Sequence, residues 1–251
     1  ATLASEFGMP LLARTWAIQI LKARPTCQWA AAIVFQTRPD RAMTQDMLSI
    51  LQPSDCLLAR IAQARMAAEQ KQYAKAVEIW QSAVQVEKGN TDSMLGLAMA
   101  MEQAGRPADA LLVYRQVWDA TQNPIAGNNS AYIVSCLYPK DTAKLAEARQ
   151  WAEAAVKAAP DIPGFRDTLG WIAYLQGRSD EALQSLHRAV KGLPGSPDVH
   201  FHLGLAEMAA KHTDFARWHL QAAVALSDKL RADGETLSTS TLAAAEGARE
   251  A

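Results

Sequence analysis

Cysteine is scarce in this 251-residue chain, which has only Cys27, Cys56 and Cys136. An odd number at wide spacing makes neither a disulfide framework nor a Cys-x-x-Cys metal site. Buried thiols are expected, with a Cys27–Cys56 bridge as the one pairing left open. Long apolar runs are also missing. None approaches the ~18–20 residues that span a bilayer, so no membrane insertion is expected. No basic-then-apolar signal peptide opens the chain, and its first residue is alanine, which fits a mature form or an excised piece. Neither sign of charge dominates. With 25 basic and 26 acidic residues the net charge is −1, which gives no electrostatic reason to expect nucleic acid as a partner. The small basic cluster Arg60/Arg65 reads as a solvated helix face.

Catalytic signatures are absent as well. There is no Gly-x-Ser-x-Gly, no phosphate-binding loop and no nucleotide-binding glycine fingerprint, so neither an enzyme nor a cofactor is expected. His200 and His202 are two apart and point different ways on a helix, whereas helical metal pairs need i, i+3 or i, i+4. His212 and His219 are seven apart, and His187 lies further upstream. These histidines read as solvated or hydrogen-bonded, and no metal site is expected. Asp161, Asp167, Asp180 and Glu181 are close in sequence, but beside turns such acids cap helices or face water. Trp151, Trp171, Tyr174 and Trp218 fall at helical spacing and read mainly as core.

What the chain does have is alanine, which favours helix, and a repeat. From Gly170, offsets of 7, 12, 16, 19 and 24 reach Gly177, Ala182, Leu186, Ala189 and Pro194. The same offsets from Gly204 reach Lys211, Ala216, Leu220, Ala223 and Asp228. From Ala98 they reach Gly105, Ala110, Tyr114, Val117 and Gln122; from Ala64, Lys71, Ala76, Trp80, Ala83 and Lys88. Ala76, Ala110, Ala148, Ala182 and Ala216 are spaced by 34, 38, 34 and 34 residues. The longer interval places extra residues near Tyr138–Ala143, where a lengthened loop is expected because it costs little. Each period fits two helices of about 12–14 residues joined by a turn. Small residues let the two axes approach, and Trp80, Tyr114 and Leu186 fill the groove to the next hairpin. Gly105 and Gly177 suit a left-handed helix end. Pro10 and Pro107 suit the start of a second helix. No hairpin buries both of its faces alone, so the hairpins must stack.

These residues resemble the tetratricopeptide repeat (TPR) family. The resemblance implies an all-α fold, a right-handed α-solenoid of stacked antiparallel hairpins (the TPR superhelix). As one array over 1–251, the repeats are expected at 57–89, 90–123, 124–160, 163–194 and 197–228. Gly8, Ala13, Ala17, Ile20 and Pro25 match the second half of a repeat over 1–25, and 26–53 reads as a degenerate, shortened hairpin. Residues 229–251 leave the pattern as a capping helix or tail. The phrases "DTLGW", "NPIAGNNSAY" and "PDVHFHLGLAEMA" are similar to bacterial TPR proteins, some of which serve envelope assembly and exopolysaccharide export. That leaves bacterial cytoplasm and periplasm both open.

The resemblance also implies a function, a scaffold that binds a partner protein. TPR arrays coil so that first helices line a concave groove, where a peptide or helix binds. Carried over by phase, the lining residues are Ile61 and Arg65, Leu95 and Met99, Asn128 and Tyr132. They continue with Asp167, Trp171 and Tyr174, then Phe201, Leu205 and Met208. The Lys/Asn/Arg clamp that holds chaperone tails is missing, since Ile61, Arg65, Leu95, Asn129 and Asp198 stand at its places. The remaining strip is apolar and aromatic, a composition that marks interaction sites. Asp167 and Asn128 would set its polarity. Cover from within the chain or a longer parent protein stays open, as does a structural module that self-associates.

Overall fold

Capping residues mark the helix starts that the repeat pattern predicts. Asn90, Asn123, Asp141 and Ser196 each accept a backbone N–H two or three residues on, at 2.9–3.4 Å. Prolines open several helices, where a missing N–H costs nothing. A computed structural model describes residues 10–24, 27, 29–30, 33–34, 57–233, 246 and 248–249. Among these the long elements are eleven helices, with no strand. They are α1 (Pro10–Ala23), α2 (Leu57–Glu69), α3 (Tyr73–Val86), α4 (Thr91–Gln103), α5 (Pro107–Thr121), α6 (Pro124–Leu137), α7 (Thr142–Ala158), α8 (Pro163–Leu175), α9 (Ser179–Gly192), α10 (Pro197–Ala209) and α11 (Thr213–Ala232). The chain forms two compact units, Ala1–Val113 and Tyr114–Ala251, divided within α5.

In the first unit α2 pairs with α3, and α3 packs on α4. Trp80 of α3 lies flat against Gly96 of α4, where a side chain on the glycine would strike the indole. Upstream, Ala13, Ala17 and Leu21 of α1 are buried with Ala30, Ile33, Val34 and Ala62. Gly8, Pro25 and most of the expected 26–53 hairpin lie outside the described residues. So does Cys56, and with it the Cys27–Cys56 pairing. Cys27 is partly buried, whereas Cys136 is exposed, unlike the buried thiol expected there.

In the second unit the hairpins are α6/α7, α8/α9 and α10/α11. A Cβ built on Gly170 would lie 2.6 Å from Cγ of Leu186, and one on Gly204 2.8 Å from Cγ of Leu220. Glycine there is what allows the two helices of a hairpin to touch. The marker alanines Ala148, Ala182 and Ala216 are buried in the same contacts. First helices also pack on one another, α6 on α8 and α8 on α10. Second helices meet through long side chains, as Arg149 of α7 meets Glu181 of α9 at 2.5 Å. This unit therefore curves toward its first helices.

Four turns share one geometry. Gly105 and Gly177 take φ of +73°, and Lys71 and Lys211 take +61° and +64° at the equivalent place. In each, the next residue donates its N–H to a carbonyl five back: Gln72 to Ala67, Arg106 to Met101, Arg178 to Ala173 and His212 to Glu207, at 2.8–2.9 Å. This is the Schellman pattern that closes a helix. The α6–α7 turn differs, and not as expected. The insertion lengthens the turn by little and instead extends the start of α7, which has 17 residues. Asp141 caps that extension, and the Lys144 ammonium sits 3.2 Å from the Tyr138 ring centre. The added hydrogen-bonded turn of helix satisfies backbone groups that a longer loop would leave to water.

Candidate partner-binding surface

The regular hairpins present their first helices in the same phase, so residues one repeat apart in sequence become neighbours. This brings Asp167 of α8 to His202 of α10, whose Nδ1–H donates to Asp167 Oδ1 at 2.9 Å. Both side chains are nearly buried. Burial works against the His202 cation, but attraction to Asp167, the hydrogen bond and nearby Asp198 outweigh it and hold the imidazole above its ordinary value. Trp171 stacks on the His202 ring at 4.4 Å between centres and on Tyr174 at 5.2 Å. Phe201 leans against Trp171 at 6.4 Å. The result is a half-exposed aromatic cluster built over a buried imidazole–carboxylate hydrogen bond.

The other residues of the expected strip fall into three environments. Asn128 is buried; its amide donates to Asn129 at 3.1 Å, and Asn129 in turn donates to the Tyr114 hydroxyl at 3.0 Å. Tyr132 and Leu205 are half-buried, and Met208 is 42% exposed. In the first unit Ile61 and Leu95 are buried, whereas Arg65 is exposed and Met99 is 49% exposed. Asp167 neither caps a helix nor faces water, unlike the expectation for acids beside turns, because His202 arrives from the next repeat to take it. Of the four aromatics read as core, Trp151 is buried, Trp171 and Tyr174 are half-buried, and Trp218 is 60% exposed.

The histidines are hydrogen-bonded, as one of the two sequence readings had it. His200 donates Nε2–H to the Pro194 carbonyl at 3.1 Å, so its Nδ1 accepts from His219 Nδ1–H at 2.9 Å. Burial first, and then neighbouring His200, push His219 down to about 4. Buried Glu207 accepts from His187 Nε2–H at 3.0 Å and His212 Nδ1–H at 2.6 Å. Sequence reasoning passed over Glu207, although it breaks the repeat. Its equivalents are Ala67, Met101, Val134 and Ala173, none of them charged. Among the described residues no group of three or more His, Cys, Asp or Glu side chains is arranged to hold a metal, and no helix is long and apolar enough to cross a membrane.

Two tetratricopeptide repeat family models match the chain, at residues 67–128 and 168–230. The chain is a tetratricopeptide-repeat protein. The TPR fold recurs in solved structures. TTC0263, a thermophilic TPR protein of Thermus thermophilus, superposes with a TM-score of 0.58 at 17% identity, over 69% of this chain and 93% of that one. MamA from Desulfovibrio magneticus RS-1 gives 0.56 at 17% identity, over 69% and 96%. YrrB, described as a TPR protein with an unusual peptide-binding site, gives 0.52 at 15% identity, over 68% and 87%. No curated protein matches the chain in sequence. TPR proteins are in general scaffolds for protein–protein contacts, and the matched repeats support that class of role for this chain.

Proposed function

We propose that this TPR protein binds a peptide or helix of a partner protein in the groove lined by its first helices. The surface is centred on Tyr132, Trp171, Tyr174 and Phe201, with Leu205 and Met208 at one side. The observation that carries the reading is the half-exposed stack of Trp171, Tyr174 and Phe201 on the inward-curving side of the second unit. Aromatics and Met held rigid at a surface are the usual anchors of an interface. Hairpin packing is already supplied by Gly170, Ala182, Leu186 and their equivalents, so it does not require these rings to reach the surface. In the first unit, Arg65 and Met99 are the exposed members of the corresponding first-helix positions. Asn128 and Asp167 act from beneath, by fixing the polar layer under the rings. The peptide-binding site described for YrrB lends the reading support at the level of fold.

The test is a double variant, Trp171→Ala with Tyr174→Ala, beside Met208→Glu, which changes only exposed surface. The expected loss of affinity for a captured partner is ~2–4 kcal/mol for the first at a true hot spot. A lesser loss is expected for the second, with melting unchanged. If melting falls for the double variant while both variants bind as before, the rings are core and the surface lies elsewhere. A second reading, self-association, is favoured by exposed Leu11 and Trp16 on α1 and by Phe215 and Trp218 on α11. Light scattering across a concentration series separates the two readings.

A further inference from the structure

We propose that the cleft on the α10/α11 hairpin is a helix-docking seat, and that its occupant is the chain's own C-terminal turn at Glu246, Ala248 and Arg249, seated where a further first helix would stack. The inference stands apart from the groove reading, although Met208 borders both surfaces.

Repeat register identifies the seat. In the preceding hairpin Tyr174, Leu183, Leu186 and Val190 share a core cluster with Leu203 and Ala206 of α10, the next first helix. One repeat later the same positions are Met208, Arg217, Leu220 and Val224. These four line a cleft of about 650 Å³, and Ala248 joins them there from outside the hairpin. Glu246, Ala248 and Arg249 are helical, with Ala248 half-buried and the other two exposed. Ala248 thus meets the last hairpin at the positions that face α10 in the hairpin before. The end of a repeat array needs such cover, because its apolar side chains lack the neighbour that each earlier repeat has. Charge selects which residues enter. Arg249 Nη2 donates to Asp228 Oδ1 at 2.5 Å, and Arg231 of α11 approaches the same carboxylate at 3.7 Å. Arg249 is the only Lys or Arg after Arg231, so no other residue of the tail can replace it. Asp228 stands where the preceding hairpin has Pro194, so the contact is particular to this end. The ion pair is exposed and adds little stability by itself; it sets the register of the turn. Residues 234–245 can reach ~40 Å, more than the ~30 Å length of α11, so seat and occupant can belong to one molecule. With the seat filled, this end of the hairpin is closed to stacking by a second chain.

Hydrogen exchange of the full chain, read by mass spectrometry on the C-terminal peptide 242–251, tests this. In the wild type that peptide should exchange at least ~10-fold more slowly than the same sequence free in solution, and dilution should leave the rate unchanged. Val224→Asp in the cleft, and separately Arg249→Glu at the exposed latch, should each return exchange toward the free-peptide rate. The latch variant changes only exposed surface, so it reads the contact even where Val224→Asp disturbs folding. Asp228→Arg combined with Arg249→Glu should restore the protection. Free-peptide exchange in the wild type, or protection indifferent to both single variants, would overturn the seat. Protection that disappears on dilution would overturn the occupant, because a second copy would then be supplying the turn.

Discussion

Lys71 and Lys211 hold backbone angles that Gly105 and Gly177 hold in the equivalent turns. The left-handed conformation costs an L-residue about 1 kcal/mol, and glycine escapes that cost. Lys71→Gly and Lys211→Gly should therefore stabilise the protein and raise its melting temperature by roughly 2–4 °C each. A drop in melting would mean that contacts of the lysine side chains outweigh the backbone strain. The opposite result is expected where space is lacking. Gly170→Leu and Ala182→Leu force bulk against Leu186 and the paired helix, and such overpacking typically costs ~1–3 kcal/mol. Differential scanning calorimetry reads both sets, and unchanged melting for the second pair would show that these positions are not the close contacts described.

Helix α10 carries two histidines, His200 and His202, that tie it to titrations pulling in opposite directions. His202 is raised in the folded protein, so its contribution is complete below the ordinary histidine value, near pH 6.5. That contribution is lost as pH climbs through the raised value. His219, packed on His200 of α10, is lowered to about 4, so its contribution is complete above about pH 6.5. It fades as pH falls toward 4. Melting followed from about pH 4 to 9 should show the Asp167→Asn variant losing the alkaline decline of the wild type. His219→Gln should soften the acid decline. If Asp167→Asn leaves the alkaline limb untouched, the buried pair does not couple α8 to α10. These pairs also show where the sequence stopped being legible. The hairpins could be read because Gly170, Ala182 and their equivalents recur at fixed offsets, and the offsets are a direct record of helix contact. Asp167 and His202 are one repeat plus one residue apart, so no offset within a repeat connects them. Only the stacking of α8 on α10 does. The extension of α7 was hidden for a related reason, since the longer interval between marker alanines does not say whether the surplus is helix or loop. Asp141, an N-cap three residues before Lys144, was the local signal that could have decided it.

At the scale of the molecule, the scaffold role of a TPR protein rests on its surfaces. The phase of the first helices was legible from the repeat, including that Trp171, Tyr174 and Phe201 would share a face. Which members of that phase reach solvent was not. Ile61 and Leu95 are buried while Met99 and Met208 are exposed, and their burial depends on neighbouring side chains that periodicity does not specify. The central claim is that a partner lies along the first helices of the second unit. Site-specific photo-cross-linking tests it most directly, with a benzophenone amino acid placed in turn at Tyr132 and Leu205 on first helices and at Gln184 and Gln221 on second helices. Partner adducts are expected from Tyr132 and Leu205 and none from Gln184 or Gln221. Adducts formed only from the second-helix positions would contradict it.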